Sequence, residues 1–212
     1  MALSDQNVFV GISLSNKHLT IEQVTRIRHV AYSHFSARNL AFLLTDEIER
    51  LNEIVFEHHS FQQQSNSIEQ RCEAIESVIR KGIPDNEFVS GRVTICRWKD
   101  ILNPSFYDTL IELNSLFIED MKFQNDVFEI AKAYAWRRRT GSSKSKIFYI
   151  CHYVLAELPT FIHGVVINDR VYPNLIYPAL ADGAIDGVVR RLFNGTYSTK
   201  MSPSKPCRIV KM

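Results

Sequence analysis

Asn7-Val8-Phe9-Val10-Gly11-Ile12-Ser13-Leu14-Ser15-Asn16 passes from an apolar strand through a glycine to an exposed hydroxyl and a polar turn. Open α/β sheets bind and transform ligands at the carboxyl ends of their strands, so this run puts Ser13 where reactive groups are held. Gly11, free of a side chain, is expected to turn the chain sharply and lift Ser13 out of the sheet. Ser15, Asn16 and Thr20, followed by Glu22-Gln23, have the small polar groups that open a helix. A strand, a glycine, a serine and a helix in that order point to an activated nucleophile or an anion site.

Working outward, Ile21, Val24, Ile27, Val30 and Ala31 recur at helical spacing and predict an amphipathic helix to about Phe35. Residues 39–44 are a continuous apolar run, as a parallel strand buried on both faces requires, and Thr45-Asp46-Glu47 end it with polar groups. A helical stretch through Leu51, Ile54, Val55 and Phe56 follows. The next helix covers about 67–81 and stops at Gly82-Ile83-Pro84. Residues 92–96 alternate as a third strand. Residues 104–139 read as two helices hinged near Asp120-Met121, and 145–161 as another. Residues 165–167 and 175–177 are short strands, 184–193 a last helix, and about 197–212 a polar tail. Alternating strands and helices predict an α/β fold: one Rossmann-like, doubly wound domain over 1–212, with a mostly parallel sheet and helices on both faces.

Composition narrows the class. The 212 residues are 45% hydrophobic and 23% charged, with a net charge of only +2, as in an ordinary soluble globular protein. Cys72, Cys96, Cys151 and Cys207 are widely separated, which excludes a C-x-x-C zinc or redox motif and suits reduced thiols. No signal peptide or membrane-spanning run is expected, so the chain is assigned to the cytoplasm, with a monomer as the default. The dinucleotide Gly-x-Gly-x-x-Gly and the P-loop are both missing from the sequence. No cofactor and no metal are therefore expected.

Several residues could carry chemistry. Tyr153 and Glu157 are four apart on the 145–161 helix and share a face among apolar neighbours. Such a pair is either an ordinary surface contact or, if desolvated, a cradle for an ammonium group whose carboxyl has a raised pKa. Tyr177-Pro178 places another phenol at a strand end. Gly11-x-Ser13-x-Ser15 is similar to the nucleophile elbow of α/β hydrolases but lacks its last glycine, and neither His152 nor His163 completes a triad. Cys151-His152 and His58-His59 read as structural. Lys200-Met201-Ser202-Pro203-Ser204 is similar to a class I aminoacyl-tRNA synthetase loop, but no ATP motif accompanies it.

Taken together, the run from Gly11 to Asn16, Tyr153-x-x-x-Glu157 and Tyr177-Pro178 resemble the cyclodipeptide synthases from Phe9 to about Leu192. The resemblance implies a Rossmann fold like that of the class I tyrosyl- and tryptophanyl-tRNA synthetases, without their ATP motifs. It implies an ATP-independent aminoacyltransferase that takes two aminoacyl-tRNAs and makes a 2,5-diketopiperazine, a secondary metabolite, by a ping-pong route. Ser13 matches the nucleophile, Tyr153 and Glu157 the pair that holds the α-amino group, and Tyr177 the tyrosine that positions the serine and the second substrate. Phe9, Gly11 and Thr160 are expected to wall the first pocket, with Asn16 and Pro178 also facing substrate. Tyr177-Pro178 belongs to the family's proline group, although Asn16 stands where the other group has its asparagine. No histidine stands ready to take the serine proton, so the departing tRNA's ribose hydroxyl is the expected relay. Members carry a basic stripe on a helix of the first half; here that helix offers Arg71, Arg80 and Lys81 against Glu69, Glu73 and Glu76. Arg137, Arg138 and Arg139, with Lys144 and Lys146, are the further candidates for phosphate contacts. Two other classes fit the same residues: a serine acyltransferase or hydrolase of small esters, and a non-catalytic tRNA-binding relative.

Overall fold

A computed structural model describes residues 6–14, 19–50, 61–137, 143–177, 184–201 and 207–211. Five strands form one parallel sheet: β1 (Val8–Ile12), β2 (Leu40–Leu44), β3 (Val93–Arg97), β6 (Asn174–Tyr177) and β7 (Arg208–Lys211). Their order is β3-β2-β1-β6-β7. Val8 pairs with Leu40 on one side and with Asn174 on the other. The chain thus builds outward from β1 through β2 to β3, then returns to the opposite side of β1. The gap between the ends of β1 and β6 is the topological switch point, where such sheets bind ligands.

Both faces of the sheet are covered, which is why β2 is apolar and buried at all five positions. Side-chain alternation divides the core in two. Val8, Val10, Ile12, Leu40, Phe42 and Leu44 pack against α1 (Ile21–His34) and α2 (Phe61–Gly82). Phe9, Ala41, Leu43, Cys96 and Leu175 face the other layer: α4 (Pro104–Glu119), α5 (Met121–Arg137), α6 (Lys144–His163) and α7 (Ala184–Phe193). A short α3 (Asp85–Val89) and a 3-10 turn (Trp98–Ile101) flank β3.

The helix boundaries follow capping chemistry. Thr20 and Gln23 satisfy each other's backbone amides in a capping box at the start of α1. Asn103 caps α4, with Pro104 in the first turn. Asp120 is extended between α4 and α5 and accepts from the amides of Lys122 and Phe123, so the predicted hinge is where one helix stops and the next begins. Gly164 ends α6 at φ +74° and ψ −154°. A Cβ there would lie 2.2 Å from the Tyr172 carbonyl oxygen.

Four expectations are corrected. Gly11 does not turn the chain: it lies inside β1, paired with Leu43, and the strand runs on to Ile12. α2 begins at Phe61, not near 67. Ser65-Asn66-Ser67 is read through as helix, because the buried stripe of Ile68, Cys72, Ile75 and Ile79 holds that helix to the sheet and outweighs weak local preference. Residues 165–167 do form a strand, β4 (Val165–Ile167), but among the described residues it pairs with β5 (Arg170–Tyr172) in a hairpin separate from the main sheet. The polar tail also contributes structure. Tyr197 and Met201 are buried, and Ile209 and Val210 within β7 pack against the two layers of the sheet. The helical stretch read over 51–56 lies outside the described residues.

Candidate active site

Ser13 directly follows β1, two residues beyond Gly11 and four beyond Phe9. The alternation therefore points it toward the layer that holds α6. A Cβ on Gly11 would meet nothing within 4 Å, so the face of β1 just before Ser13 opens on empty space. The backbone around the serine is fixed by its neighbour in the sheet. The Thr45 amide and hydroxyl both donate to the Ile12 carbonyl, at 3.1 and 3.3 Å. Thr45 then accepts from the Glu49 amide at 3.0 Å, opening the helical residues 46–50.

That helix delivers a group that sequence reasoning missed. Ser13 Oγ donates to Glu49 Oε1 at 2.5 Å, and Glu49 is fully buried. Its signal was slight: an acid one helical turn past Thr45, beyond the Thr45-Asp46-Glu47 run that closes the strand. Asp46, beside it, accepts from the Trp98 amide at 2.9 Å and so ties the end of β3 to the same corner.

Tyr153 and Glu157 form the other half. Tyr153 donates its hydroxyl to Glu157 Oε1 at 2.9 Å, and both residues are buried, so this is not a surface contact. The Tyr134 ring lies against Tyr153, with centroids 5.5 Å apart. Burial pushes the Glu157 carboxyl up to about 7; the Tyr153 hydrogen bond opposes this and the nearby Glu49 charge adds to it. Burial, with the Glu157 and Glu49 charges, holds the Tyr153 phenol well above its ordinary value. Glu49 thus contacts Ser13 and lies close enough to act on both members of the pair, joining three of the predicted residues into one site.

Tyr177 ends β6, and its ring lies against Phe161 at 5.6 Å, one turn beyond Glu157 on α6. Phe9 and Thr160 are buried in the same layer; the Thr160 hydroxyl donates to the Glu157 carbonyl at 2.8 Å. Asn16 and Pro178 lie outside the described residues. So do Arg138, Arg139 and the Arg137 side chain, as well as His58 and His59. Arg71, Arg80 and Lys81 are on α2, across the sheet from Tyr153 and Glu157, and Arg80 lies over the Phe88 ring at 5.1 Å. Glu69 and Glu76, which the sequence sets against those cations, ion-pair with Arg97 at 3.0 and 2.7 Å. Cys151 is a core residue whose thiol is pushed up to about 12 by burial, and burial lowers His163. No cluster of potential metal ligands occurs among the described residues. Nor is any of their helices long and apolar enough to cross a membrane.

The family model for cyclodipeptide synthases matches residues 3–211. The chain belongs to the cyclodipeptide synthase family. No curated protein sequence matches it significantly, and the likeness to solved cyclodipeptide synthases is one of fold. AlbC, a cyclodipeptide synthase from Streptomyces noursei, superposes with a TM-score of 0.70 at 16% identity, over 97% of this chain and 94% of AlbC. A cyclodipeptide synthase from Staphylococcus haemolyticus gives 0.69 at 18% identity, over 99% of this chain and 91% of that one. A tryptophanyl-tRNA synthetase from Encephalitozoon cuniculi gives 0.55 at 10% identity, over 94% of this chain and 50% of the synthetase. The Rossmann-like fold is thus that of cyclodipeptide synthases and, beyond them, of class I tRNA synthetases. For this family the activity is peptide-bond-forming aminoacyl transfer, with aminoacyl-tRNA as donor.

Proposed function

We propose that this cyclodipeptide synthase joins the aminoacyl groups of two aminoacyl-tRNAs by a ping-pong route through an ester on Ser13. One observation carries the reading: the serine at the end of β1 donates to Glu49, whose charge also acts on the buried, hydrogen-bonded Tyr153–Glu157 pair. Ser13 Oγ attacks the first aminoacyl carbonyl, and the first tRNA leaves. Tyr153 and Glu157 hold the α-ammonium group of the new ester. A carboxyl near 7 can take a proton from that ammonium at neutral pH. The freed amine then attacks the carbonyl carbon of the second aminoacyl-tRNA, the bond to its ribose oxygen breaks, and that tRNA leaves with the amine's surplus proton, giving a dipeptide still esterified to Ser13. The amine of that dipeptide attacks the ester carbonyl, closes the diketopiperazine ring and releases Ser13.

An aminoacyl ester is already activated, so this route needs neither ATP, metal nor cofactor. The open space over Gly11, walled by Phe9 and Thr160, receives the first side chain, and Tyr177 helps position the serine and the second substrate. Pro178 sets the enzyme in the family's proline group, and Asn16 adjoins the substrate. Arg71, Arg80 and Lys81, together with Arg137, Arg138 and Arg139, supply phosphate contacts to the tRNAs. The enzyme acts as a cytoplasmic monomer.

The test is expression of wild type and Ser13→Ala in a bacterial host, with mass spectrometry of the medium. A cyclic dipeptide made by the wild type alone is expected, and its mass names the amino acids. The same product from Ser13→Ala overturns the reading. So does its absence from both cultures when both proteins are soluble; hydrolysis of small esters without tRNA would then favour a serine hydrolase.

A further inference from the structure

The geometry points to Glu49 as the catalytic base that takes the proton of Ser13 when the serine attacks, and that hands a proton to the departing Oγ when the ring closes. This rests on the reading of Ser13 as the nucleophile. A serine hydroxyl is a poor nucleophile until a base accepts its proton, and such a base must be within hydrogen-bond reach of it. Glu49 Oε1 is 2.5 Å from Ser13 Oγ, in the range of a hydroxyl bound to a charged carboxylate. Burial of the carboxylate and its seat behind Thr45 fix that approach before substrate arrives. Glu157 is occupied differently, since its Oε1 already accepts from Tyr153. The two acids therefore divide the work: Glu49 serves the hydroxyl, and Glu157 serves the amine.

The proton balance closes within the site. As Oγ bonds to the aminoacyl carbonyl carbon, the Oγ–H bond breaks and its proton passes to Glu49 Oε1. When the tetrahedral adduct collapses, the bond from that carbon to the tRNA ribose oxygen breaks. The oxygen leaves with the proton from Glu49, so the tRNA departs as a neutral alcohol and the carboxylate is restored. At ring closure the amine's surplus proton replaces it on Glu49 and is handed to the departing Oγ. No relay through a hydroxyl of the leaving tRNA is required.

The test measures the single-turnover rate of enzyme labelling with total tRNA charged with a mixture of radiolabelled amino acids. It compares wild type, Glu49→Gln, Ser13→Cys and the double variant. Glu49→Gln should slow labelling by about 10²–10⁴-fold, the usual worth of a general base. In the Ser13→Cys background the same change should cost less than about tenfold, because a thiol with an ordinary pKa of about 8.5 ionises largely unaided. Equal losses in both backgrounds would show that Glu49 only holds the fold, and a loss under about threefold with serine would show that it does nothing. If Glu49→Gln does not fold, Glu49→Asp keeps the charge and withdraws the oxygen, and the same difference between backgrounds decides. Wild type without label, or label that persists in Ser13→Ala, removes the Ser13 reading and this inference together. Normal labelling of the wild type with an indifferent Glu49→Gln removes the inference alone.

Discussion

Replacing Glu157 by Gln should stabilise the fold above neutral pH while removing most of its activity. The carboxyl is raised from 4.5 to about 7, chiefly by burial. The folded protein therefore keeps a proton that the unfolded chain releases at lower pH, and stability falls as pH climbs through that window. At about 1.36 kcal/mol per pH unit, the interval from 4.5 to about 7 corresponds to roughly 3 kcal/mol in all. An amide of the same shape still accepts from Tyr153 and has no proton to lose. Wild type and variant should thus agree near pH 4.5 and separate steadily toward about pH 8, where the variant is more stable by up to about 3 kcal/mol. Urea unfolding followed by circular dichroism across that range measures the difference, and a thermal scan reads it as about 2–4 °C per kcal/mol at this length. Parallel pH curves for the two proteins would refute the argument, as would a variant less stable at the alkaline end. On the proposed role of Glu157 as acceptor of the amine's proton, cyclic dipeptide production by the same variant should drop at least about a hundredfold.

Two glycines should respond to alanine in opposite ways. Gly164→Ala puts a methyl group against the Tyr172 carbonyl in a backbone conformation that only glycine adopts readily. A loss of about 3 kcal/mol or more is expected in urea titrations, and a loss under about 1 kcal/mol would contradict the contact. Gly11→Ala meets open space in an extended strand, so stability should stay level or rise by up to about 1 kcal/mol. Its product profile by mass spectrometry should shift toward smaller side chains, and an unchanged profile would separate Gly11 from the pocket.

Local periodicity was enough for the sheet's inner strands, since a parallel strand with both faces covered must read as an apolar run, as 40–44 does. The hinge at Asp120 was legible because capping is a local transaction. β7 was not, because Ile209-Val210 is only a two-residue apolar step between Arg208 and Lys211 and the partner strand lies more than thirty residues earlier. The site divided in the same way. Tyr153 and Glu157 meet within one helix, so their spacing announced the contact. Glu49 reaches Ser13 only because β2 lies beside β1, and no spacing along the chain carries that fact. The offset on α2 was misjudged for the same reason: Arg97, which binds Glu69 and Glu76, comes from β3.

The strand that bears the serine sits at the middle of the sheet, and half of its support comes from far along the chain. Val8 pairs with Leu40 early but must wait for Asn174 on its other edge. Contacts of such long range close late and slowly. Until they do, β1 presents an unpaired edge to whatever strands are nearby. Tyr153, Glu157 and Tyr177 arrive with the same segment that seals this edge. Ser13 is therefore joined by these three residues only as the sheet closes, so the proposed site is completed by the last strands to pair.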